Sequence, residues 1–104
     1  MGYQDPFNEL PVSIQAIIKL IVRNLRPNEI ILFGSRARGD HRDNSDFDLA
    51  VKLPALDPLV WTQTQLAIAE DPITLYPIDL LHFEQMDSKY QANIQTEGRV
   101  IYVR

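Results

Sequence analysis

The sequence contains no cysteine among its 104 residues. This absence excludes disulfide frameworks, cysteine-ligated zinc sites, iron–sulfur clusters and thiol catalysis. It is also typical of proteins that work in a reducing compartment, so we expect a cytoplasmic protein.

A net positive charge and long hydrophobic runs are also lacking. The formal net charge at pH 7 is −4, so no overall positive field exists to hold a polyanion, and general nucleic-acid binding is disfavoured. The longest apolar stretches, around residues 17–18 and 30–33, are far shorter than the roughly twenty residues that cross a bilayer. The first residues lack a basic segment followed by an apolar one, so we expect neither a cleaved export signal nor a membrane protein.

What the sequence does contain is the balance of one globular domain, with 45% hydrophobic and 23% charged residues. We predict a single domain over residues 1–104. The expected elements, in chain order, are a helix over 13–25, a strand over 29–33, a helical turn over 35–38, a loop over 39–45, a strand over 46–53, a helix from Asp57 to about 69, a strand over 73–81 interrupted at Pro77, a helix over 84–95 and a strand over 100–103. This order predicts an α/β (α+β) fold with a small mixed sheet and helices packed on it.

Two aspartates that stand two positions apart carry the first chemical signal. Asp46 and Asp48 begin the second predicted strand, with Phe47 between them. Because side chains at i and i+2 leave the same face of a strand, the two carboxylates stand side by side while Phe47 points into the core. Two adjacent anions are screened by solvent or arginine, or they share a hard divalent cation, for which Mg²⁺ is the usual cellular choice.

Asp79 is a third acid, in another apolar strand where an unpaired carboxylate is unfavourable. If its strand lies beside the strand of Asp46 and Asp48, at a spacing of about 4.8 Å, three carboxylates converge. Three such ligands can hold two metal ions about 3.5–4 Å apart, the spacing used for in-line displacement at phosphorus. The alternative is an ion pair between Asp79 and a neighbour such as Lys52.

Gly34 and Ser35 stand where the first strand ends and the helical turn begins. Glycine lets a phosphate approach the backbone, the first N–H groups of a helix donate to it, and the Ser35 hydroxyl opens the turn and adds a donor. The chain lacks the G-x-x-x-x-G-K-[ST] pattern of a Walker A loop. These residues and the acids together predict a metal-dependent nucleotide site.

Two arginines follow the glycine and serine directly. Arg36 and Arg38 are candidate nucleotide-binding residues, because a guanidinium matches phosphate oxygens in a fork. Local salt bridges with Asp40 or Asp43 explain the same residues equally well, and both interpretations stay open at this point.

The spacing of these residues resembles a known signature. The Gly-Ser pair at residues 34–35, ten further residues, the D-F-D string at 46–48 and the strand acid Asp79 resemble the G-S-x10-D-x-D pattern of the polymerase-beta nucleotidyltransferase superfamily. The strings GSRARGD and SDFDLAV look most like the minimal nucleotidyltransferase (MNT) proteins, and the similarity covers residues 13–103.

The resemblance implies a polymerase-beta-like palm fold and a role for each matching residue. It implies that Asp46, Asp48 and Asp79 are catalytic and bind Mg²⁺, as two ions, together with the substrate ATP. It implies that Gly34 and Ser35 contact the triphosphate. Whether Asp79 is only a metal ligand or a general base stays open.

The resemblance also implies a partner. Many minimal members are antitoxins paired with a HEPN-domain ribonuclease toxin, and they add AMP to a tyrosine of that toxin. Larger relatives carry an additional helical domain that binds tRNA, an antibiotic or DNA, for which we expect no room in 104 residues. We therefore expect AMP transfer from ATP to a tyrosine of a HEPN toxin, with release of pyrophosphate, in a hetero-oligomer.

Two alternatives remain from the sequence. The first is an antitoxin that neutralises its toxin by binding alone, with a vestigial site. The second is a nucleotidyltransferase that acts on a small molecule or on tRNA.

Overall fold

The structure of the protein, a computed structural model, describes residues 2–71 and 75–104. Over this part of the chain the helices and strands are β1 (Gly2–Tyr3), α1 (Val12–Leu25), β2 (Glu29–Phe33), α2 (Ser35–Arg38), β3 (Phe47–Lys52), α3 (Pro58–Ala69), β4 (Ile78–His82), α4 (Ser88–Glu97) and β5 (Arg99–Val103). Short 3₁₀ turns at Phe7–Glu9 and Phe83–Gln85 precede α1 and α4. None of the helices described in these ranges has the length and apolar character needed to span a membrane.

The strands form a single mixed sheet in the order β1-β5-β2-β3-β4. All neighbouring pairs are antiparallel except β3 and β4, which run parallel. The crossover between these two strands contains α3, as parallel pairing requires. The predicted mixed sheet and α/β class are therefore confirmed.

Helices cover both faces of the sheet. On one face α1 and α3 pack on the larger core, which contains Ile17, Leu49 and Ile68. On the other face α4 packs on a smaller core, which contains Phe33, Ala50 and Ile94. Because side chains alternate along a strand, successive apolar residues of β2 and β3 pack into the two cores in turn. The sequences of these two strands are therefore nearly continuous hydrophobic runs.

The predicted first helix and first strand are confirmed. The helix begins one residue before the predicted start and ends at the predicted residue, Leu25. Its apolar stripe is buried as the spacing predicts, at Ile14, Ile17, Ile18 and Ile21. The predicted helix after Asp57 is also confirmed, because the Asp57 carboxylate accepts hydrogen bonds from the first free amides of α3.

The third predicted strand and the last predicted helix need correction. The strand begins only at Ile78, and Leu75 and Tyr76 lie outside it, while residues 73–74 lie outside the described residues. The chain from 83 to 85 forms a 3₁₀ turn, and α4 starts after Asp87, whose carboxylate accepts a hydrogen bond of 2.8 Å from the Tyr90 amide. A helix cap at Asp87 therefore sets the start of α4 at Ser88, four residues after the predicted start.

Candidate active site

The strand pairing brings two of the predicted acids directly opposite each other. Asp48 of β3 and Asp79 of β4 are register partners in the parallel pair. Alternation along both strands places the two side chains on the α4 face, the face of Ala50 and Leu81. At the usual spacing of about 4.8 Å between strands, the two carboxylates stand side by side.

Asp46 lies just before β3 and is exposed, as Asp79 is, whereas Asp48 is partly buried. The Phe47 amide donates a hydrogen bond of 2.9 Å to the carbonyl of Pro77, so the segments that carry the acids are joined where both strands begin. Burial raises the pKa of Asp48, and the negative charges of Asp79 and then Asp46 raise it further. The three acids therefore share one electrostatic environment.

Within residues 2–71 and 75–104, no three carboxylate or imidazole groups are gathered closely enough to hold a metal ion. The chemistry of the site nevertheless fits a hard divalent cation. The donors are carboxylate oxygens, which Mg²⁺ prefers, and their mutual repulsion is what a cation relieves. The metal ligation by Asp46, Asp48 and Asp79 stays a prediction.

Gly34 closes the site from the side of β2. It has φ +73° and ψ −157°, a conformation essentially restricted to glycine. A Cβ at this position would overlap the Asp48 carboxylate. Glycine is required here both by its backbone conformation and by the close approach of the acid.

The short helix α2 begins immediately after Gly34, which is its N-cap residue. The turn predicted over residues 35–38 is confirmed, but its predicted opening by the Ser35 hydroxyl is wrong, since no side chain caps it. The amides of Ser35 and Arg36 come first in the helix and have no intrahelical acceptor, so they are available as donors.

A cavity of about 230 Å³ lies against Asp48 and Gly34 on the α4 face. Its other lining residues are Phe33, Arg38, Tyr90, Asn93, Ile94 and Glu97. The sequence did not predict that residues of α4 line this cavity, although their spacing of three to four positions places them on one helix face.

A second cavity, of about 330 Å³, lies between α3 and β4 and includes Asp79.

Arg38 lines the first cavity and pairs with two acids. Its guanidinium lies 3.2 Å from the Asp40 carboxylate and 3.4 Å from that of Glu97, and its charge lowers the pKa of Asp48 against the larger raising effects. The predicted salt bridge with Asp40 is thus present, and the phosphate contact of Arg38 stays a prediction.

Arg36 is directed elsewhere, toward backbone carbonyls of the loop that precedes β3. The suggested Asp79–Lys52 pair is not formed. Instead, the Lys52 ammonium lies 3.7 Å from the Glu29 carboxylate. Among the described residues, Asp79 makes no ion pair, so its carboxylate is available to the site.

An Asp48→Asn variant is expected to be more stable than the parent at neutral pH. Because the pKa of Asp48 is raised in the folded state, the folded protein keeps the Asp48 proton to a higher pH than the unfolded chain does. The free energy of unfolding of the parent protein therefore falls as the pH rises through the titration range of this carboxyl group, and it stays lower at neutral pH. Opposed like charges on paired strands cost about 0.2–1 kcal/mol, which corresponds to about 1–5 °C in Tm. Thermal unfolding of the metal-free proteins at pH 7 checks this, and the advantage should vanish below the ordinary pKa range of aspartate. A difference that does not depend on pH would contradict the cause given.

The fold is that of a nucleotidyltransferase. The sequence model of the family "Polymerase beta, Nucleotidyltransferase" matches residues 15–104. The chain therefore belongs to this family. No protein with a curated description matches the chain by sequence.

Among solved structures, the chain is similar to minimal nucleotidyltransferases from toxin–antitoxin complexes. A toxin–antitoxin structure with AMP-PNP has a chain 29% identical, with a TM-score of 0.67 over 85% of this chain and 71% of that one. A mutant MntA–HpeT complex has a chain 28% identical, with a TM-score of 0.65 over 86% of this chain and 71% of that one. A complex of the tri-AMPylated Shewanella oneidensis HEPN toxin with an MNT antitoxin has a chain 26% identical, with a TM-score of 0.60 over 86% of this chain and 68% of that one.

Proposed function

We propose that this protein is an antitoxin that transfers AMP from ATP to a tyrosine hydroxyl of a HEPN toxin in the cytoplasm. One observation carries the proposal: Asp48 and Asp79 stand opposite each other on parallel strands, and Gly34 packs against Asp48. Solved relatives support the donor and the partner, since one complex contains AMP-PNP and another a tri-AMPylated HEPN toxin.

In the proposed reaction the acceptor oxygen attacks the α-phosphorus of ATP. A new oxygen–phosphorus bond forms as the bond to the β-phosphate bridging oxygen breaks, and pyrophosphate leaves. The amides of Ser35 and Arg36, beside Gly34, bind the phosphates, and Arg38 faces the same cavity. The acceptor proton passes to the exposed carboxylate of Asp79 if that residue is the general base, and to solvent water if Asp79 is only a metal ligand.

Asp46, Asp48 and Asp79 would hold Mg²⁺, as two ions in the proposal. When bound, the metal supplies positive charge at the phosphates and lowers the pKa of the acceptor hydroxyl. Asp79 serves this site either as a ligand or as the general base. A carboxylate close to cations is a weak base, which favours the role of ligand.

The proposal is tested by sequencing the adjoining reading frame for a HEPN-domain protein and incubating the two proteins with ATP and Mg²⁺, followed by intact-mass measurement. We expect the partner to gain mass in AMP units, with peptide mapping placing them on tyrosine. No mass gain together with a silenced ribonuclease would establish neutralisation by binding alone. Labelling of small molecules or tRNA by radioactive ATP without the partner would establish the other alternative.

A further inference from the structure

We propose that Arg36 is a positioning residue whose guanidinium fixes the two acid-bearing segments relative to each other and does not itself bind the ATP phosphates, which are left to the backbone amides of Ser35 and Arg36. The inference rests on the proposed function for its kinetic test. It is carried by where the Arg36 guanidinium lies and by what surrounds it.

The Arg36 guanidinium bonds to the loop that leads into the D-x-D acids. Its Nη2 donates hydrogen bonds to the carbonyl oxygens of Asp43, at 3.0 Å, and of Ser45, at 3.2 Å. Ser45 is the neighbour of Asp46, so the second bond fixes the backbone directly before the first acid. Both N–H groups of Nη2 are used in this way, so this nitrogen is not free to follow a phosphate.

The same guanidinium contacts two rings, one on each acid-bearing segment. It lies 4.2 Å from the centre of the Phe47 ring and 5.3 Å from that of Tyr76. The two rings meet edge to face at 5.2 Å. Phe47 separates Asp46 from Asp48, and Tyr76 lies three residues before Asp79. Cation–π attraction therefore holds both segments to one cation.

The burial of one Arg36 side-chain atom also supports a positioning role for this residue. The Nε atom of Arg36 is buried and has no hydrogen-bond partner among the described residues. The residue as a whole is half-buried, and its carbonyl and ring contacts hold the guanidinium beside the loop, where it is poorly placed to reach a triphosphate. The cavity on the α4 face is lined by Arg38, and Arg36 is absent from its wall. Of the two arginines, Arg38 is the one placed for phosphate.

Arg36→Lys separates the two roles, because lysine keeps the charge but cannot stack as a plane or keep a fork of donors. We expect kcat for AMP transfer to the partner toxin to fall by about tenfold or more, since small misplacements of reacting groups are costly. We expect KM for ATP to change by less than about twofold, because the phosphate contacts remain. Arg42→Lys, a change at an exposed arginine of the same loop, should leave both values unchanged.

Three kinetic results bear on the inference. A fall in kcat at constant KM supports it. A rise in KM for ATP with kcat retained would make Arg36 a phosphate ligand, and unchanged kinetics would leave it without a role; either result overturns the inference.

If Arg36→Lys does not fold, the variants Tyr76→Leu and Tyr76→Phe test the inference instead. Leucine removes the second ring and should lower kcat, whereas phenylalanine keeps the ring and should retain it, and equal rates would overturn the inference.

A readout independent of turnover distinguishes failure of this inference from failure of the proposed function. The Phe47 amide, bonded to the Pro77 carbonyl, joins the two acid-bearing segments. In Arg36→Lys its hydrogen exchange should accelerate by about tenfold or more, while exchange within α1 stays unchanged. If the parent protein transfers no AMP, the proposed function fails, and hydrogen exchange alone then tests the positioning role of Arg36. Unaltered exchange at the Phe47 amide would overturn the inference.

Discussion

An Asp48→Asn variant is expected to lose AMP transfer by at least about 100-fold while remaining folded. Loss of residues that merely orient a metal ligand commonly costs 10–100-fold, and a direct ligand should cost more. Asp46→Asn and Asp79→Asn are expected to act in the same direction. The amide is isosteric with the carboxylate but carries no charge, so the sheet stays intact while affinity for a hard cation falls.

The measurement is the initial rate of AMP incorporation into the proposed HEPN partner at saturating ATP. Binding of Mg²⁺-ATP, followed by calorimetry, should weaken in parallel. Asp43→Asn is the matched control. It is the same chemical change in the exposed loop before β3, where the hydrogen bond to Arg36 uses the backbone carbonyl and not the side chain. Turnover by Asp48→Asn at the parental rate would refute the assignment of the site.

Gly34→Ala is expected to lose both stability and activity. The φ of +73° and ψ of −157° strain any residue with a Cβ, at about 1–3 kcal/mol. The new methyl group would also overlap the Asp48 carboxylate and turn it out of the site. Chemical denaturation measures the loss of stability, and the transfer assay should show a fall of about 100-fold, as for loss of the acid itself.

Gly39→Ala separates these two effects. Gly39 also has a positive φ, +85°, but a Cβ there meets no atom within 4 Å. The variant should therefore lose about 1–2 kcal/mol of stability from left-handed strain and keep its transfer activity. If Gly34→Ala were no less active than Gly39→Ala, the packing of Gly34 against Asp48 would have no bearing on catalysis.

Several parts of the site could be predicted from the sequence because they depend on local spacing. Asp46 and Asp48 share a face because any strand alternates its side chains. Gly34 stands at the junction of a strand and a helical turn that short-range patterns predict. The contribution of α4 could not be predicted in this way, because its helix has a weak apolar stripe and its start depends on the Asp87 cap.

The sequence by itself determined the charge of the chain and the spacing of the Gly-Ser and D-x-D residues. It also determined the first helix, the first strand and the helix after Asp57, since these elements follow from interactions between near neighbours. Only the tertiary structure decided that Asp79 faces Asp48, that Gly34 touches the same acid and that Arg36 turns away toward Phe47 and Tyr76. Strand order, register and ring packing join residues far apart in the chain. Strand order and register depend on which faces of the sheet and helices can be buried together, and this cannot be predicted from short-range sequence patterns.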